Sequence, residues 1–117
     1  MDKPIVHTLP KGLRLKRNVD FQRVYRRGKS VSDARLVLIY QRGRGHTRVG
    51  FTAGKKVGKS VVRNRAKRLM RENYRLIRHR VAEGWRVIFV ARNAMVGASF
   101  QQVQDSMQKL LKKAGCL

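Results

Sequence analysis

Acidic side chains are scarce in this chain. Six Asp and Glu stand against 29 Lys and Arg, a formal net charge of +23 over 117 residues. The six, Asp2, Asp20, Asp33, Glu72, Glu83 and Asp105, are scattered along the sequence. Metal-assisted cleavage of a phosphodiester needs clustered carboxylates to hold its ions, so these acids suggest a binder that carries no catalytic group and no metal of its own. His7, His46 and His79 are equally dispersed, and one cysteine, Cys116, makes no familiar zinc spacing with them. A lone cysteine also forms no internal disulfide, in keeping with a reducing compartment. The longest apolar runs, Leu36 to Tyr40 and Val87 to Ala91, have five residues each, far below the ~20 of a spanning helix. Met1 to Pro10 lacks the basic start and apolar stretch of a secretory signal. The expected location is therefore the cytoplasm, with no membrane partner.

The cations that are present set the expected partner. A surface this lopsided repels itself unless a polyanion lies close by, and nucleic acid is the first candidate. The length suits one domain that buries roughly two thirds of its unfolded surface. Both prolines fall within residues 1–12, which read as a flexible segment ahead of a single domain over 13–117.

Periodicity then gives the elements. Asn18 reads as the cap of a short helix with apolar Phe21, Val24 and Tyr25, ended by Gly28. Residues 35–41 and 47–53 read as two strands of a hairpin, with an extra strand near Val31. Because Leu36 to Tyr40 leave neither face polar, that strand should be central and covered on both sides. Helical spacing runs from Ser60 to about Arg80, Gly84 breaks it, and Trp85 to Ala91 is a third clear strand. Ser99 opens a capping box with Gln102 for a last helix to about Lys113. The class is α+β, in the order α-β-β-(β)-α-β-α.

Eight cations and no acid lie between Lys55 and Arg71. On a helical wheel Asn64, Lys67, Arg68, Arg71, Arg75 and Arg78 form one stripe, with Val62, Ala66, Leu69, Leu76 and Ile77 opposite. A charge run is usually a solvated face balanced by acids at i,i+4. Here only Glu72 offers such a partner, to Arg68, and neighbouring cations repel by a few tenths of a kcal/mol per pair. Phosphate binding accounts for the stripe better than solvation does. Gly54 to Ser60 falls one residue short of a P-loop, although Ser60 is placed to cap the helix and the amides near Lys59 lie at its positive end. Phe21 and Tyr25, at i,i+4 among eight further cations between Lys11 and Lys29, are either core or a stacking platform for bases. Spacing alone favours core.

The run from Lys55 through Arg63-Asn64-Arg65 to Glu72 closely resembles the protein subunit of bacterial ribonuclease P. Arg14-Leu15, Asp20-Phe21, Val24-Tyr25, Gly28, Ser30 and Arg48-Val49-Gly50 extend the match in that family's order. Departures stand at Gly54, commonly serine in the family, and at Ile39, often an aromatic. The resemblance implies a small α/β sandwich with a left-handed βαβ crossover. It implies that Arg48, Lys55, Lys56, Lys59, Arg63, Asn64, Arg65, Lys67, Arg68 and Arg71 face a catalytic RNA. It further implies that Phe21 and Tyr25 hold the 5′ leader of precursor tRNA, against the preference from spacing. Magnesium on the partner RNA would do the cutting. A structural ribosomal-type RNA-binding protein is the alternative that charge and size leave open.

Overall fold

The computed structural model of the chain describes residues 9–117. Most of the flexible segment expected over 1–12 lies outside the described residues. Of its last four, Leu9 packs against the core and Lys11 opens a 3-10 turn, Lys11–Leu13. Helix α1, Asn18–Arg27, follows. Arg17 is its cap, without a side-chain bond to a helix amide, so Asn18 is the first helical residue rather than the cap. Gly28 stops α1 as expected, for a steric reason. A Cβ there would stand 2.6 Å from the Val24 carbonyl oxygen and 2.9 Å from that of Tyr40, closer than any side chain tolerates.

Strand β1, Lys29–Ser32, is the extra strand near Val31, and it precedes β2, Leu36–Arg42, and β3, Arg48–Ala53. Helix α2, Ser60–Ile77, strand β4, Trp85–Ala91, and helix α3, Phe100–Ala114, complete the fold. The sheet order is β1-β2-β4-β3, with β4 antiparallel to β2 and parallel to β3. The hairpin expected between β2 and β3 therefore does not form, because β4 lies between them. Val87, Ile88 and Phe89 are consecutive and fully buried, so β4 gains most from a place where both faces and both edges are covered. Strand β3 presents Arg48, Gly50 and Thr52 on one face, which suits an edge. The true hairpin is β1 with β2. Asp33 pins its turn, accepting from the Arg35 and Leu36 amides at 2.9 Å each and meeting Lys109 of α3 at 3.2 Å.

Helix α1 covers one face of the sheet, and α2 and α3 cover the other, so β2 is central and doubly covered as its sequence predicts. The larger core joins Leu36, Leu38, Val87 and Phe89 to Met70, Tyr74, Met107 and Leu110, each worth about 1.5 to 3 kcal/mol on full burial. The rings of Phe51, Tyr74 and Phe89 meet with centroids 5.9 to 6.1 Å apart, fixing α2 over β3 and β4. A smaller core under α1 holds Leu15, Val24 and Ile88, with Phe21 at its rim. The capping box of Ser99 and Gln102 is present. Ser60 is not the cap of α2: Lys59 occupies that position, and the Ser60 hydroxyl accepts from Arg63 Nη2 at 3.1 Å.

Candidate nucleic-acid interface

The cations of residues 55–71 share one side of the molecule because α2 buries the other. Ala66, Met70, Asn73, Tyr74 and Ile77 form the buried stripe, and the outward arc carries Asn64, Arg65 and Arg68 exposed, with Lys67 and Arg71 at its half-buried flank. Met70, Asn73 and Tyr74 were missing from the expected apolar face, whose Val62, Leu69 and Leu76 are only half-buried. Lys55 and Lys56 project from a 3-10 turn, Lys55–Val57, just before the helix, and Lys59 is exposed beside them. Arg63 turns partly inward, with its Nε buried.

Glu72 does not answer Arg68. It accepts from Arg75, 2.9 Å from Nη2 and 3.2 Å from Nε, because i,i+3 geometry brings the two onto the same flank. Among the described residues, no carboxylate lies within 4 Å of any of the eight cations from Lys55 to Arg71.

The half-buried flank of this rail opens onto a cleft. The Leu15 amide donates to the Val49 carbonyl at 2.8 Å and Arg14 bridges to Val49, which staples the chain before α1 to the outer edge of β3. Over that edge Phe21, Gly50 and Phe51 meet Arg14, Lys16, Lys67 and Arg71 around a space of about 420 Å³. Gly50 makes the floor possible, since a Cβ there would sit 2.5 Å from the Phe21 ring. Tyr25 does not line this space. It is exposed, with its ring 6.4 Å from that of Phe21. A wider cleft of about 780 Å³ lies at the carboxyl ends of β3 and β4, bordered by Lys55, Lys56, Val90, Arg92 and Asn93.

The sequence-predicted residues thus fall into three places. Lys55, Lys56 and Lys59 lead into the rail, Lys67 and Arg71 join it to Phe21, and Arg48 stands apart at the far end of β3. Arg14, Lys16 and Arg92 also border these clefts and lie outside the predicted set. Arg92 follows directly on β4, and its Nη1 donates to the Asp33 carbonyl at 2.8 Å. Among the described residues, no group of three His, Cys, Asp or Glu is placed to hold a metal ion, and no helix is long and apolar enough to cross a membrane.

Comparison with known proteins agrees with this geometry. The family model for Ribonuclease P matches residues 9–115. The ribonuclease P protein component of Alkaliphilus oremlandii is 48% identical over 101 residues, covering 86% of this chain and 89% of that protein. That of Clostridium kluyveri is 46% identical, covering 87% and 94%. Among solved structures, the RNase P protein of Staphylococcus aureus superposes with a TM-score of 0.81 at 33% identity, covering 91% of this chain and 98% of that one. The Thermotoga maritima protein gives 0.78 at 26% identity, covering 86% and 96%. A basic helix face free of carboxylates, an aromatic cleft at its flank and this shared fold and sequence together make the chain a member of the ribonuclease P protein family.

Proposed function

We propose that this chain works in the cytoplasm as the RNA-binding protein of a ribonuclease P ribonucleoprotein, holding a catalytic RNA on the α2 rail and the 5′ leader of precursor tRNA in the adjoining cleft. Arg48, Lys55, Lys56, Lys59, Arg63, Asn64, Arg65, Lys67, Arg68 and Arg71 are the proposed contacts to the catalytic RNA. Phe21 is the proposed stacking surface for the leader, with Tyr25 beside it. The observation that carries the reading is the meeting of Lys67 and Arg71 with Phe21 in one cleft. A base stacked on the ring then has its phosphates within reach of cations that no carboxylate neutralises. Guanidinium forks suit phosphate oxygens, and ring stacking tolerates any base, which fits leaders of varied sequence.

Bond breaking is assigned to magnesium on the RNA, and the protein's part is to lower the repulsion between two RNAs brought together. The test is to incubate the pure chain with precursor tRNA at low magnesium, with and without ribonuclease P RNA. Cleavage at the mature 5′ end only in the mixture is the expected result. Cleavage by the protein alone would make it a nuclease, and no effect on cleavage would leave the ribosomal-type alternative.

A further inference from the structure

A second group of cations lies away from the rail, on the α1 side of the cleft, and its own neighbours do not account for it. Arg48 opens β3, and Arg86 is its direct partner in the parallel register with β4, so the two stand on neighbouring strands about 4.8 Å apart. Like charges in that position are destabilising. With Arg23 of α1 and Gln41 of β2 they line a recess of about 170 Å³ on the α1 side of the sheet.

Asp20 is the one acid of this recess, and it already meets Arg17 at 3.3 Å and Arg23 at 3.9 Å. Arg86 is held in place. Its Nη1 donates to the carbonyls of His46 and Trp85 at 2.9 Å and its Nη2 to that of Arg44 at 2.6 Å. It also lies against Gly43, where a Cβ would come within 2.9 Å of its guanidinium. These carbonyls take three of its five N–H donors and bring no charge. Burial, and then the charge of Arg48, hold its pKa below the usual arginine range, against the pull of Asp20. Stapling the loop before β3 requires Arg86 alone. It gives no reason for Arg23 and Arg48 to border the same space. An adjoining recess shares Asp20 and Arg48 and adds Lys11, Lys16 and Arg17, so the approach is cationic too.

We infer that the recess between α1 and the amino ends of β3 and β4 is a phosphate site, with Arg86 as its fixed cation and Arg48 and Arg23 as its movable donors, occupied by one phosphate group of an RNA partner. Lys55 and Lys56 lie beyond the other end of β3, so about 20 Å of strand separates this site from the start of the rail. The RNA as source rests on the proposed function, whereas the phosphate chemistry does not.

The test uses the full chain, titrated with inorganic phosphate against chloride at matched ionic strength and followed by amide NMR. Saturable shifts are expected at residues 41, 48 and 86. Arg48→Gln is exposed at the strand start and is expected to raise the phosphate Kd read at those amides at least five-fold. A rail variant, Arg65→Gln with Arg68→Gln, is expected to leave it unchanged. Absence of saturation there, or an unchanged Kd in R48Q, overturns the site. In a second arm, R48Q is expected to flatten the log-affinity against log-salt slope for ribonuclease P RNA by about 0.7 to 0.9. An unchanged slope overturns RNA as the source. Absence of cleavage in the mixture described above would defeat the proposed function yet leave the phosphate titration as it stands, so the two failures are distinguishable.

Discussion

Asp33 is the acid whose protonation matters most to the fold. Burial raises its carboxyl pKa, but hydrogen bonds from Ser106 and from the Leu36 and Arg35 amides, together with Lys109, outweigh that and bring it from 3.8 to about 2. The folded state therefore binds fewer protons than the unfolded chain between those values, and stability rises with pH across them. The contribution is complete above about pH 4 and is lost as pH falls through about 2. Asp33→Asn removes it, with an expected loss of about 2 kcal/mol at pH 7 in urea unfolding. The difference from the parent should shrink toward pH 2, and a difference constant with pH would show that the charge is not responsible. Gly50 acts at the same scale on the cleft. In Gly50→Ala the new methyl displaces the Phe21 ring, at a cost of about 1 to 3 kcal/mol. If Phe21 stacks the leader, G50A and Phe21→Ala should lose precursor affinity in proportion to leader length and bind leaderless tRNA as before. Equal losses on both substrates would refute the role of the ring.

At the scale of elements, α2 carries two opposed demands, a buried stripe of Met70, Tyr74 and Ile77 and an outer arc of mutually repelling cations. Arg65 and Arg68 lie at i,i+3 without a carboxylate within 4 Å. Their removal is therefore expected to leave the melting temperature of the free chain unchanged or slightly raised, while the salt slope for ribonuclease P RNA flattens by about 1.4 to 1.8. A clear fall in melting temperature would mean that these side chains brace the fold. Most elements were legible because local signals mark them: Gly28 and Gly84 as stops, Ser99 with Gln102 as a capping box, the spacing from Ser60 onward as a helix. Caps without such a signal were misread by one residue, at Asn18 and Ser60, because a residue at N1 and one at the cap differ only in backbone conformation. The buried face of α2 was drawn too far toward Leu69 and Leu76 because Asn73, fully buried with its Nδ2 donating to the Leu69 carbonyl, looks polar in sequence.

At the scale of the whole molecule, strand pairing was the part the sequence concealed. Neighbours in sequence usually pair, and nothing local to residues 35–53 reveals that Val87 to Phe89, more than thirty residues on, displaces β3 to the edge. The cleft was hidden for the same reason: Phe21, Gly50 and Lys67 meet only through that topology, and the family resemblance alone brought Phe21 forward. The charge balance, in contrast, was open to reading and is sharpened by the fold. Asp20 meets Arg17 and Arg23, Asp33 meets Lys109, Glu72 meets Arg75, Glu83 meets His46, and Asp105 accepts from Gln101. None of the five described acids thus meets any of the eight cations from Lys55 to Arg71, although Glu72 takes Arg75 of the expected stripe, and the +23 excess is left for an outside polyanion to balance. If about six phosphates are neutralised, log affinity should fall against log salt with a slope of about −4 to −5. Each doubling of monovalent salt would then weaken binding to ribonuclease P RNA roughly 16- to 32-fold, measurable by filter binding or fluorescence anisotropy. Hydrogen bonds to bases and apolar docking carry no such dependence, so a slope shallower than about −1 would require the rail to hold RNA by something other than its charge.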